Sequence, residues 1–104
     1  MSVAVVFTTV PDARTARKIA EGLVARRLAA CVNVVDKVRS FYRWKGRLER
    51  SGESLLIIKT VKKNCGKINK FLKTVHPYEL PELIALPVVW GSKEYLTWVQ
   101  KSVK

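Results

Sequence analysis

The feature that most constrains the fold is a long β-hairpin, which two β-rich runs predict within Cys31–Thr60. Its first arm ends in the aromatic residues Phe41, Tyr42 and Trp44, and Gly46 supplies the turn. Extended as far as Trp44, this arm spans roughly 45 Å. A domain of this length has a diameter of only roughly 35 Å. Because exposed aromatic side chains need a cover, we expect a second copy of the chain to cover this tip.

Composition indicates one folded domain over residues 1–104, because 48% of the residues are hydrophobic and can form a core. The 20 Lys and Arg residues outnumber the 8 Asp and Glu residues, which gives a net charge of +12. Such a charge suits a solvated basic surface or an anionic partner. The basic residues are spread along the chain and form no run of five, which favours the solvated surface.

Two cysteines, Cys31 and Cys65, make neither a disulfide framework nor a CxxC pair. No signal-peptide pattern precedes the first apolar run, and no apolar stretch reaches the length of a membrane helix. These features predict a protein of the reducing cytoplasm without a membrane partner.

Periodicity and capping residues predict the order strand, helix, strand, strand, helix, strand, helix. The predicted elements outside the hairpin are a strand at residues 3–9, a helix from the cap Asp12 to about Leu28, a helix at residues 64–75, a strand at residues 83–89, and a helix capped by Ser92. This order predicts an α+β, ferredoxin-like βαββαβ sandwich with a long hairpin and a C-terminal helix.

Within the hairpin we expect a bend at Lys37 and a β-bulge at Ser51-Gly52. Cys31 is expected near the middle of the sheet as a small apolar side chain. Lys59 closes a strand before the second helix, where open α/β sheets place ligands, although such a lysine can also extend into water.

The most unusual stretch is His76-Pro77-Tyr78-Glu79-Leu80-Pro81-Glu82, here called the 76–82 segment. Its two prolines predict a rigid, non-helical connection that holds the chain's one histidine close to two carboxylates. His76 with Glu79 or Glu82 could transfer protons. No nucleophile–base pair, phosphate loop or complete metal motif accompanies them, so we expect a protein that is not an enzyme.

The second helix is the best nucleic-acid candidate in the chain. Its lysines are unbalanced by any acid: Lys62, Lys63, Lys67, Lys70 and Lys73. The central strands lack the aromatic residues on which RNA-recognition sheets stack bases. The alternative function is therefore phosphate-driven nucleic-acid binding without sequence specificity.

Several motifs together resemble the CutA family of divalent-cation tolerance proteins over nearly the whole chain. They read, in order, TTVPD, LAACVNVV, FYRWKGRLE, ESLLIIKT, HPYELPELIALPV and YLTWV. The resemblance implies a ferredoxin-like homotrimer in which long strands of neighbouring subunits meet, with Phe41, Tyr42 and Trp44 at the interface. It also implies a non-enzymatic role in metal-ion tolerance or response.

The family resembles PII-type signalling proteins in architecture, and these bind ligands in clefts between subunits. The analogy implies a cleft for a metal ion or small ligand that collects Trp44, Glu53, Lys59, His76, Tyr78 and Glu82. Copper is the metal that the resemblance implies, with His76 and then Cys31 as candidate ligands. Thr8 and Val75 stand where copper-binding family members carry Cys and His, so only His76 matches that pattern.

Overall fold

The computed structural model describes residues 2–104, which form four strands, three helices and a short 3-10 turn. The elements are β1 (Val3–Val10), α1 (Ala13–Ala25), β2 (Cys31–Trp44), β3 (Arg47–Val61), the 3-10 turn (Lys62–Asn64), α2 (Cys65–Val75), β4 (Ile84–Pro87) and α3 (Lys93–Ser102). The predicted order of strands and helices is confirmed.

The strands form one antiparallel sheet in the order β2-β3-β1-β4. One face of the sheet contributes Val6, Leu56 and Ile58 to a buried core. Helices α1 and α2 close that core with their own apolar stripes, which include Ile19 and Ile68. The predicted mixed α+β sandwich is therefore confirmed. Helix α3 packs against β1 and β3, with Val99 and Val103 buried outside this cluster.

The outer part of the hairpin is a ribbon of two strands. Strand β1 pairs with β3 only as far as Ser54, whereas β2 and β3 continue to pair from Val38↔Glu53 to Trp44↔Arg47. We call this outer part the ribbon. It contributes to a longest molecular dimension of 44 Å. The turn at its tip has positive φ at both central residues, Lys45 (51°) and Gly46 (77°), as a type I′ turn requires.

The β-bulge of the hairpin lies on β2 and not on β3. The register shifts between Val35 and Val38, and Lys37 adopts a positive φ of 61°, which confirms the predicted bend. The bulge predicted at Ser51-Gly52 is wrong, because both residues pair with β2 without any shift. Asp36 and Lys37 of β2 therefore face a single residue of β3, Ser54. The hydroxyl of Ser54 donates to the Asp36 carboxylate at 2.7 Å.

Helix α1 ends at Ala25, three residues before the predicted end at Leu28. Arg27 adopts a left-handed φ of 57° there. The N–H of Leu28 donates to Leu23 O at 3.0 Å and that of Arg27 to Val24 O at 3.0 Å, which together make a Schellman motif.

Three further expectations can be compared with the structure. The predicted caps are confirmed, since Asp12 accepts from Thr15 N and Ser92 from Tyr95 N. The last strand is shorter than predicted, because β4 covers only Ile84–Pro87. The prediction that Cys31 lies near the middle of the sheet is wrong, since Cys31 is the first residue of the edge strand β2.

Candidate ligand-binding cavity

A cavity of about 810 Å³ lies between the ribbon and the 76–82 segment. Its volume is in the range of small-molecule sites. The wall combines aromatic rings with carboxylates: Phe41, Tyr42, Trp44 and Tyr78, with Glu53, Glu79 and Glu82. The ribbon therefore supplies most of the aromatic surface, and the 76–82 segment supplies two of the carboxylates.

Glu53 and Tyr78 connect the two sides of the cavity. Glu53 is the last ribbon residue on β3, next to the part of β3 that pairs with β1, and is only 8% exposed. The Tyr78 hydroxyl donates to Glu53 Oε2 at 2.7 Å, the short distance of a hydrogen bond to a charged acceptor. Burial, followed by this bond to a carboxylate, raises the pKa of the Tyr78 phenol, so the phenol remains protonated and able to donate.

His76 lies behind this wall, with its ring 5.0 Å from that of Tyr78. Its Nε2 is 2.9 Å from the carbonyl oxygen of Thr9, which can only accept, so Nε2 carries the proton. The N–H of Tyr78 donates to Nδ1 at 3.2 Å. The hydrogen bonds therefore select the neutral tautomer with hydrogen on Nε2.

The environment of His76 agrees with this neutral form. Burial lowers the pKa of His76, and the bond to Thr9 and the charge of Glu53 oppose that effect less strongly. Both ring nitrogens have partners within the chain. A metal ion would have to displace one of these partners to bind the ring.

The residues that the sequence singled out fall into two groups. Trp44, Glu53, Tyr78 and Glu82 line the cavity, and His76 supports Tyr78 from behind. Lys59 does not line the cavity within one chain. It lies two residues before the end of β3, and its ammonium group donates to Asn33 Oδ1.

Cys31 belongs to this second group, since it pairs with Lys59 and its thiol lies 3.8 Å from Asn33 Oδ1. Within residues 2–104, no three His, Cys, Asp or Glu side chains come together as a set that could hold a metal ion. The buried Thr8 hydroxyl lies 3.4 Å from His76 Nε2.

Sequence reasoning missed several exposed apolar side chains, and one of them, Leu80, lines the cavity. Leu48 on the ribbon is 64% exposed, and Trp90 beyond β4 is 82% exposed. Leu80 of the 76–82 segment and Val89 are also exposed. The signal for Val89 and Trp90 was the apolar run that continues past Pro87 to the Gly91-Ser92 break, of which the part up to Val89 was assigned to the last strand.

The fold and cavity define a class of small α+β proteins with a four-stranded antiparallel sheet, a long hairpin and a site beside the outer part of that hairpin. The chain belongs to the family described as CutA1 divalent ion tolerance protein, whose model matches residues 4–102.

Individual relatives agree with this assignment. A mouse (Mus musculus) protein named Protein CutA is 44% identical over 100 residues, which is 96% of this chain and 56% of the mouse protein. The chain thus spans little more than half of that relative. The solved divalent cation tolerance protein (Cut A1) from Thermus thermophilus is 43% identical, with a TM-score of 0.96 over 98% of this chain and 99% of that chain.

The compartment differs among relatives. A solved structure from Archaeoglobus fulgidus, named as a periplasmic divalent cation tolerance protein, is 32% identical, with a TM-score of 0.94 over 98% of this chain and 99% of that chain. Among residues 2–104, no helix has both the length and the apolar character needed to cross a membrane.

Proposed function

We propose that this protein is a non-enzymatic homotrimer of divalent metal-ion tolerance or response. It binds a metal ion or small ligand in clefts between its subunits, in an architecture like that of PII proteins. The observation that carries this proposal is the cavity of about 810 Å³, whose aromatic wall is partly bare in a single chain. Membership of a family named for divalent ion tolerance supports the metal role.

The ribbon supports the assembly. A hairpin of two strands is marginally stable in water, and a third strand or a packed partner stabilises it. On this ribbon Phe41 is 62% exposed, and Tyr42 and Leu48 are exposed as well. Neighbouring subunits in a trimer would cover the interface residues Phe41, Tyr42 and Trp44.

The cleft that we propose contains Trp44, Glu53, His76, Tyr78 and Glu82 of one subunit. Lys59 is the sixth residue of the proposed cleft, and it lies on a different part of the sheet from the cavity. Its participation therefore requires that the cleft bring together residues of two subunits.

Copper is the metal that we propose, since imidazole and thiolate ligands suit it. His76 is the first candidate ligand and Cys31 the second. His76 contacts Thr9, which pairs with Leu55, whereas Cys31 pairs with Lys59, four residues or roughly 13 Å further along β3. A copper site that uses both would therefore join subunits. We also propose a cytoplasmic location, which the two free cysteines support.

Phosphate-driven nucleic-acid binding is the second candidate function, and one observation favours it. The five lysines of the 3-10 turn and α2 are all exposed, and no acidic residue lies between them. Such binding weakens steeply with salt. Retention of the protein on DNA above about 0.3 M salt would contradict a phosphate-driven mechanism.

The first test is the particle mass by light scattering at low and high salt, for the unchanged protein and for Trp44→Ala. A mass of three chains at both salts is expected for the unchanged protein. Truncation of a buried aromatic anchor costs about 2 kcal/mol or more, so Trp44→Ala should dissociate at low concentration. Trp98→Ala on α3 is the matched control. A single-chain mass of the unchanged protein refutes the trimer.

Titration calorimetry with copper, zinc, ATP and ADP tests the ligand. Binding of at least one of them tighter than about 1 mM is expected if a metal ion or nucleotide is the ligand, since weaker binding contributes less than about 4 kcal/mol. A His76→Ala variant should lose copper binding if the ring is a ligand. Unchanged copper affinity in this variant would remove His76 from the metal site.

A further inference from the structure

Half of the chain's basic residues lie in the layer of helices on one side of the sheet. This layer, here called the helical layer, comprises residues 12–28 and 62–75 and contains α1, the 3-10 turn and α2. It carries ten of the chain's 20 Lys and Arg residues but only two of its 8 Asp and Glu residues, so it holds +8 of the net charge of +12. Salt screens charges beyond about 8–10 Å at physiological ionic strength, so a molecule at this surface responds to the local excess.

The five lysines of the 3-10 turn and α2 form an exposed face without any acidic partner. Three of them, Lys67, Lys70 and Lys73, follow one another at three-residue spacing on the outer side of α2. The buried Ile68 and Leu72 occupy the opposite side of the helix, in the core. Among residues 2–104, no carboxylate oxygen lies within 4.0 Å of any of the five amines.

This arrangement is unfavourable for the stability of the chain by itself. Lysines three or four positions apart on a helix are neighbours and repel each other. Lys62 and Lys63 also precede α2, where the helix dipole disfavours cations, and the first turn of α2 contains no acidic residue. A bound polyanion would relieve both effects, because it places negative charge along the whole face.

The contacts that we propose between subunits leave the helical layer exposed. Leu56 and Ile58 of β3 face the helices in the core, so Lys59, the next residue along the strand, faces away from them. The proposed interface lies on the ribbon, and the cavity lies between the ribbon and the 76–82 segment. The helical layer contains none of these residues. Its basic face therefore stays accessible when subunits meet through the ribbon.

The chemistry of the face favours a phosphate polymer without bases. Lysine binds phosphate as a flexible point charge. Proteins that bind single-stranded nucleic acid add aromatic rings on which the bases stack. The one aromatic residue of α2, Phe71, is half-buried, and the Arg26 guanidinium lies over its ring at 4.6 Å from the centroid. A bilayer is disfavoured as well, because Ile68 and Leu72 are packed in the core and cannot insert into lipid.

We propose that the helical layer binds inorganic polyphosphate, a linear anion that carries negative charge on every phosphate and has no base. The five lysines contact its phosphate oxygens, and Arg26 extends the basic face toward α1. This inference goes beyond the proposed cleft. It uses the lysines of the second candidate function and assigns them a different polyanion.

The test measures the binding of fluorescently labelled long-chain polyphosphate to the full protein by anisotropy, over a range of salt concentrations. Single-stranded DNA, duplex DNA and polyglutamate are the competitors, at equal concentrations of charge. Polyphosphate is expected to bind at least about tenfold more tightly than each, because single-stranded DNA carries fewer charges per length and a stiff duplex turns only part of its charge toward one face.

Each competitor has an outcome that contradicts the proposal. Equal or tighter binding of DNA would overturn the polyphosphate assignment and support the second candidate function. Equal binding of polyglutamate would overturn the preference for phosphate. Failure of polyphosphate to bind at low salt would overturn the site itself.

Two pairs of substitutions locate the site. Lys67→Gln/Lys70→Gln should weaken polyphosphate binding at least about fivefold and reduce the slope of log K against log salt by about 2. Lys67→Arg/Lys70→Arg retains both charges and should retain binding. Lys37→Gln/Lys93→Gln is the matched control, because both side chains are exposed and lie outside the helical layer, and it should change binding less than about twofold. An equal loss in the two Gln pairs would refute the helical layer as the site.

Copper binding and particle mass separate this inference from the proposed function. A trimer that binds copper but not polyphosphate would overturn the polyphosphate site and leave the proposed function standing. A single chain whose polyphosphate binding depends on Lys67 and Lys70 would refute the trimer and support the polyphosphate site.

Discussion

Tyr78→Phe tests how the 76–82 segment is connected to the sheet. The change removes one oxygen atom and leaves the buried Glu53 carboxylate without the hydroxyl that donates to it at 2.7 Å. A hydrogen bond to a charged group contributes about 1.5–3 kcal/mol, and an unsatisfied buried acceptor loses a similar amount. We therefore expect the free energy of unfolding to fall by about 2 kcal/mol.

Denaturant unfolding at a fixed protein concentration measures this loss, because the stability of an oligomer depends on concentration. In a thermal scan the same change corresponds to a decrease in Tm of about 10 °C for a domain of roughly this size. Tyr95→Phe is the matched control. Its side chain is exposed on α3, so the expected change is below about 0.5 kcal/mol.

A second substitution at Glu53 separates the lost bond from a packing defect. Glu53→Met fills a similar volume without a charge, and replacing both partners by apolar groups can be nearly neutral. The double variant Tyr78→Phe/Glu53→Met should therefore be more stable than Tyr78→Phe alone. If the two single losses simply add, the energetic role assigned to the bond is refuted.

Three further predictions concern local structure and pH. Lys45→Asn should raise the free energy of unfolding by up to about 1 kcal/mol in denaturant unfolding, because Asn-Gly suits a type I′ turn. Arg27→Ala should cost about 1 kcal/mol, since the guanidinium donates to Lys101 O and Ser102 O, each at 3.2 Å. Arg27→Gly should cost less, because glycine accepts the positive φ. Because the pKa of His76 is lowered on folding, the unfolded chain binds more protons. Stability is therefore lost as pH falls below about 6.5. Between pH 7 and pH 5, the Tm of His76→Gln should vary less than the Tm of the unchanged protein.

Local signals in the sequence were sufficient for most of the fold. Asp12 and Ser92 were recognisable as caps, and Gly46 identified the turn, because each acts on its immediate neighbours. The end of α1 could not be located in this way, since the left-handed residue there is Arg27 and not the usual glycine. The bulge was also misplaced, because its position depends on the pairing register and not on the glycine at position 52.

The site was only partly predictable for a geometric reason. Glu53 and Lys59 were both assigned to the cleft, but they lie six residues apart on β3, which is roughly 20 Å along an extended strand. The tautomer of His76 follows from Thr9 O and Tyr78 N, and neither contact is visible in sequence spacing. The position of Glu53 in a wall of aromatic rings and carboxylates likewise emerged only from the fold.

The cavity is bounded by two parts of the chain that have little stability of their own. Within residues 2–104 the ribbon has no third strand, and the 76–82 segment has no regular structure. Hydrogen bonds of Tyr78 to Glu53 and of His76 to Thr9 join the segment to the sheet close to the end of β1. Regions of low local stability are those that ligands order most readily. A ligand that contacts Glu53 and the ribbon aromatics would stabilise the same ribbon that we propose to meet a neighbouring subunit, so binding and assembly should strengthen each other by equal free energies.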